Sequence, residues 1–329
     1  QVWDAGWAPV YDLRLEQGAD AKLVIARHAR VSQQTGEDWS KVALTLSTAR
    51  PSGRLDTPDL GAIQAMFYEP VAMGGAADSL SAPVASAAPM EMNEAQAKML
   101  GDEGDLRRER VDAETVSAVA ALQGQTVVYT LAASADVSGD GTVRQLAIDT
   151  GTVNASLLAR ATPEFDTTAY LYATVVNTFS GPMLPGQVSV FRDGTFVGQT
   201  VLPMIAEGKE VVLPFGALDG LTVSRHVLEK TDSDFGIIGT TNQRAERFEI
   251  KVESVLTYAL PVTIYDRVPF TENEDLQVLP YANPEPSVKD VDGKRGVQNW
   301  TFMMDPGAEK TIEFGYEIRW PGDAQMIVQ

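Results

Sequence analysis

The chain has 329 residues, and its 26 Lys and Arg against 45 Asp and Glu leave a formal charge of −19. That balance repels phosphate backbones and anionic lipid, so nucleic acid and membrane surfaces are poor partners. With no cysteine, disulfides, thiol catalysis and Cys-ligated metals are excluded, while 44% hydrophobic residues suffice for packed cores.

The chain opens on Gln1, without an initiator Met or a basic-then-apolar leader, which predicts a fragment or a processed form. Residues 1–70 are predicted to form an N-terminal β meander. In residues 10–16, Tyr11, Leu13 and Leu15 alternate with Asp12, Arg14 and Glu16. In residues 21–31, Leu23, Ile25, Ala29 and Val31 share a face, with Arg27 as the exception. In residues 41–48, Val42, Leu44 and Leu46 point inward. A period of two marks half-buried strands. Facing Leu15 with Leu23 sets Glu16 against Lys22 across the first turn.

Residues 71–111 break the pattern. No Phe, Tyr or Trp occurs from Glu69 to Val128, and residues 72–97 are rich in Ala, Ser, Gly and Pro. Such a segment buries too little surface to offset chain entropy, so a flexible, protease-sensitive insert is expected. One short helix inside it would start at Asn93 and stop at Gly101.

Residues 112–180 are predicted to continue the first β unit, and residues 181–329 to form a β-sandwich-like unit. Strands are expected over 127–131, 143–148, 169–176, 211–214, 248–256, 262–266 and 311–320. Residues 187–191 and 195–198 meet across Asp193-Gly194, a strong two-residue hairpin signal. Many short strands with Gly/Pro/Asp turns and little helix define a mainly β fold of sandwich or meander units. Two long uncharged stretches, 115–135 and 167–191, are interrupted by Gln123-Gly124-Gln125 and by Gly181-Pro182 and Pro185-Gly186, so neither reads as a membrane span.

Motifs for catalysis are sparse. His28 and His226 lie far apart, and no Gly-x-Ser-x-Gly elbow is present. Asp136-Val137-Ser138-Gly139-Asp140-Gly141 resembles the start of a calcium loop, but Ala147 stands where the closing Glu is needed. A hairpin tip is the better reading, and no metal or organic cofactor is expected. The distinctive residues are Trp3, Trp7 and Tyr11, spaced every four, followed by Asp12 and Arg14, with Glu37, Asp38 and Trp39 in the next loop. One reading is structural: Glu37 or Asp38 accepts backbone N–H groups or pairs with Arg14, and Trp39 packs as a lid. The other is a recognition patch, since Trp and Arg are frequent binding anchors.

Trp7-Ala8-Pro9-Val10-Tyr11-Asp12-Leu13-Arg14, Gln34-Thr35-Gly36-Glu37-Asp38-Trp39 and Leu44-Thr45-Leu46-Ser47-Thr48-Ala49-Arg50-Pro51 resemble the conserved C-terminal domain of the mucoidy inhibitor A-like family. The resemblance continues through Leu184-Pro185-Gly186, Val190-Phe191-Arg192-Asp193-Gly194, Leu213-Pro214-Phe215-Gly216, Asp266-Arg267-Val268-Pro269 and the segment from Gly296 to Trp300. It implies a bacterial envelope or periplasmic protein linked to capsule or exopolysaccharide phenotype, and it implies no catalytic residues. The expected function is a non-enzymatic binding or scaffolding module for an envelope protein or glycan. The alternative is an enzyme acting on surface polysaccharide through paired carboxylates.

Overall fold

The structure, a computed structural model, describes residues 4–48, 119–123, 126–131, 133–235 and 241–327. The expected insert at 71–111 and the helix starting at Asn93 lie outside the described residues. Among the described residues there are nineteen strands and one short 3-10 turn, so the fold is mainly β.

In chain order the strands are β1 (Ala5–Glu16), β2 (Lys22–Gln33), β3 (Trp39–Val42), β4 (Thr45–Ser47), β5 (Val119–Gln123), β6 (Thr126–Thr130), β7 (Ala135–Val137), β8 (Arg144–Asn154), β9 (Ser156–Thr162) and β10 (Asp166–Val176). They continue with β11 (Gly186–Arg192), β12 (Thr195–Leu202), β13 (Glu210–Phe235), β14 (Thr241–Ser254), β15 (Leu260–Arg267), β16 (Gln277–Asn283), β17 (Val288–Lys289), β18 (Val297–Met304) and β19 (Glu309–Pro321). A five-stranded sheet has the order β12-β11-β1-β2-β8, and a nine-stranded sheet runs β16-β19-β14-β13-β10-β9-β15-β18-β17. Strands β3 and β7 pair by themselves, as do β4, β6 and β5.

The first hairpin has the expected register, with Leu15 opposite Leu23 and Glu16 opposite Lys22. Asp193 and Gly194 both take positive φ, 47° and 81°, the geometry that lets a two-residue turn follow the strand twist. Residues 41–48 do not form a third meander strand. Lys41 takes φ 52° while its N–H donates to Asp136 Oδ1 at 2.7 Å. The backbone turns at Lys41 within β3, and the strand ends at Val42 and resumes at Thr45, so β3 pairs with β7 and β4 with β6. The second neighbour of β2 is instead β8. On its other side β1 takes β11 in parallel, so the five-stranded sheet joins residues 5–33, 144–154 and 186–202.

The inner faces of the two large sheets share one core. Leu13, Leu15, Leu23 and Ile25 from the first meet Leu171, Phe215, Ile250, Ile264 and Phe314 from the second. The nine-stranded sheet curls: Trp300 on β18 and Phe314 on β19 stand 5.4 Å apart, although their strands lie near opposite ends of the strand order. A smaller cluster of Ala29, Val31, Leu46, Val127, Tyr129, Val137, Ile148 and others gathers the short strands beside β2 and β8.

Candidate recognition surface

The two faces of the five-stranded sheet divide the residues of β1. Tyr11, Leu13 and Leu15 enter the core. Asp12 and Arg14 lie on the other face, where strand register places Asp12 beside Ala26 and Ser189, and Arg14 beside Val24 and Phe191. The Arg14 guanidinium sits 4.1 Å over the Phe191 ring, and Phe191 meets Phe196 edge-on at 5.5 Å. Asp12 lies 3.5 Å from Arg14 Nη2 and 3.9 Å from His28 Nε2. Burial holds His28 below its ordinary pKa; Asp12 opposes that shift and Arg14 reinforces it.

At one end of this sheet, Trp7, Pro9, Val10, Arg30, Pro185 and Val201 line a groove of about 680 Å³. Strand β12 closes the sheet edge. Its sequence, Thr-Phe-Val-Gly-Gln-Thr-Val-Leu, contains neither charge nor Pro. A one-residue bulge in β12 lets Phe196, Gln199 and Val201 stand opposite Phe191, Ser189 and Gln187, on the face of Arg14. Phe196 is 50% and Val201 70% exposed.

The structure separates the residues that stood out in the sequence. Trp3 lies outside the described residues. Tyr11 is buried and its hydroxyl donates to the Leu184 carbonyl at 2.7 Å; burial pushes its pKa up. Trp7 is half-buried, donates from Nε1 to the Ser47 carbonyl at 3.0 Å, meets Tyr129 edge-on at 6.0 Å and also lines the groove. Trp39 packs with Trp7 against the smaller cluster. Glu37 and Asp38 are exposed. The Glu37 carbonyl accepts from Gln33 Nε2 at 2.7 Å, Asp38 Oδ1 accepts the Gly139 N–H at 2.8 Å, and Arg14 pairs with Asp12. At the calcium-like tip, Asp136 caps Lys41 and Asp140 Oδ1 accepts the Thr142 N–H at 2.9 Å. Among the described residues, no group of three or more His, Asp and Glu is arranged to hold a metal ion.

Sequence reading singled out Arg27 only as an exception. It is 3% exposed and forms a two-pronged pair with Asp149, Nε to Oδ1 at 2.6 Å and Nη2 to Oδ2. Its guanidinium lies 4.2 Å over Phe179 and 5.6 Å from Tyr129. The signal was a lone cation on an apolar strand face; its partner on β8 carries no local mark.

The DUF4139 family, a domain of unknown function, matches residues 1–322, and the chain belongs to it. A curated relative, Protein F37C4.5 of Caenorhabditis elegans, is 25% identical over 347 residues, covering 99% of this chain and 60% of the relative. The chain thus spans 60% of the length of that relative. No solved structure matches.

Proposed function

We propose that this domain is a non-enzymatic binding or scaffolding module that accepts an extended segment of a partner protein along β12 and the adjoining groove. The observation that carries the reading is β12 itself. An edge strand presents unpaired N–H and C=O groups, and natural sheets blunt such edges with Lys, Pro, bulges or short length. Strand β16 contains Pro280, β17 has two residues, and β8 carries Arg144 and Asp149. β12 has its bulge but no charge or Pro, and it exposes Phe196 beside Phe191 and Val201 in the groove with Trp7 and Arg30. Strand addition draws affinity from main-chain hydrogen bonds and specificity from alternate side chains. The envelope setting, and a link to capsule or exopolysaccharide phenotype, rest on the resemblance to the mucoidy inhibitor A-like family. The paired-carboxylate alternative meets acids already engaged: Asp266 with Arg225 at 2.9 Å, Glu164 with Arg267 at 2.8 Å, Asp166 with the Tyr170 hydroxyl at 2.6 Å.

The test compares Phe196→Lys and Val201→Lys with the wild type in affinity capture from an envelope extract. Both side chains are exposed, so melting temperatures should stay together. The protein recovered by the wild type should be lost with both variants, and β12 amides should gain exchange protection in the complex. Equal recovery by the variants, or unprotected β12 amides, overturns the reading.

A further inference from the structure

The nine-stranded sheet carries a second surface, independent of β12. On β10, Tyr170 stands opposite Arg160 of β9, and Thr263 of β15 flanks Arg160 on its other side. Residues two apart on a strand share a face, so Tyr172 and Tyr265 join Tyr170 and Arg160. With Asp292 and Lys294 they line a cavity of about 510 Å³, within the usual size of ligand sites.

Most charges in the wall are already paired. Glu164 holds Arg267, Asp266 holds Arg225, and Asp166 accepts from Tyr170 and the Thr168 N–H. Three charged groups are not. Arg160 stacks 4.8 Å over Tyr172 and, like Lys294 and Asp292, has no side-chain ion-pair partner among the described residues. Asp292 takes φ 55° and ψ 30°, a left-handed conformation that few non-glycine residues adopt. The loop is held by Asp290 Oδ1 accepting the Gly296 N–H at 2.7 Å.

The pairing of unused donors with an unused acceptor beside tyrosine rings selects a ligand class. A bare anion would meet Asp292, and a cation would meet Arg160 and Lys294. An apolar side chain would leave all three without partners. A sugar ring offers an apolar C–H face to the aromatic rings and hydroxyls that both donate and accept. We propose that this cavity is a saccharide-binding site, with Tyr170 and Tyr265 as ring platforms, Arg160 and Lys294 as donors and Asp292 as acceptor.

Saturation-transfer NMR on the full chain tests this with maltotriose, cellotriose, chitotriose and trigalacturonate as probes. Asp292→Gly removes the acceptor at a position whose backbone suits glycine, and Tyr170→Ala removes an exposed platform. At least one probe should show transfer, and each variant should weaken its binding roughly tenfold while remaining folded. No transfer from any probe at millimolar concentration, or transfer unchanged in both variants, overturns the proposal.

Discussion

Arg27 shares a strand face with Leu23, Ile25, Ala29 and Val31, yet it carries a full charge into the interior. Asp149 supplies two of its hydrogen bonds, and Phe179 and Tyr129 cover its faces. Nη1 has no hydrogen-bond partner among the described residues. Removing one half of a buried ion pair leaves the other charge uncompensated, which costs about 3–5 kcal/mol. Replacing both halves by apolar residues of similar size is often neutral or stabilising. Asp149→Ala should therefore lower the free energy of unfolding by about 3–5 kcal/mol in a denaturant titration. The double variant Arg27→Met, Asp149→Leu should recover most of that loss. A double variant as unstable as the single would show that the guanidinium holds the Phe179 and Tyr129 rings in place through more than its charge.

At the scale of elements, the parallel joint between β1 and β11 depends on a missing side chain. A Cβ on Gly186 would fall 2.4 Å from the Pro9 carbonyl oxygen and 3.0 Å from Tyr11 Cε2. Gly186→Ala must then push β11 away from β1, and overpacking of this kind costs about 1–3 kcal/mol. Gly198 on β12 has nothing among the described residues within 4 Å of its would-be Cβ, so Gly198→Ala should change stability by no more than about 0.5 kcal/mol. Equal effects of the two substitutions in thermal melts would remove the close approach as the cause. This joint also shows where sequence reading stops. The Leu15–Leu23 register and the Asp193-Gly194 hairpin were legible because both are local pairings with turn chemistry between them. The β1–β11 and β2–β8 pairings bring together distant segments, and no residue pattern on one strand names its neighbour. The break between Val42 and Thr45 was hidden because Val42, Leu44 and Leu46 keep the alternation of one strand. The site divides in the same way. Trp7 and Arg14 stood out, but Arg30, Pro185 and Val201 complete the groove only through the sheet order, and the Arg160–Tyr265 row is assembled across three strands.

For the whole molecule, the two hydrophobic clusters should set two levels of local stability. The main core is lined by both large sheets, including the long strands β13, β14 and β19. The smaller cluster is closed by β3, β4, β6 and β7, none longer than five residues. Exchange protection follows buried contact and the extent of pairing, so short strands on a small cluster open at lower free energy than the core. Native-state hydrogen exchange should find the amides of β14 and β19 exchanging only through global unfolding. Amides of β4 and β6 should exchange earlier and with weak denaturant dependence. Two core truncations separate this from general fraying. Ile250 is fully buried in the main core, and Ile250→Ala should cost about 2–5 kcal/mol and speed exchange in every strand. Leu46 is 5% exposed in the smaller cluster, and Leu46→Ala should speed exchange chiefly in β4 and β6, leaving β14 and β19 slow. If Leu46→Ala accelerated β14 and β19 as strongly as β4, the two clusters would be one cooperative unit. Trp7 would then report global unfolding rather than the local opening of the short strands on which it packs.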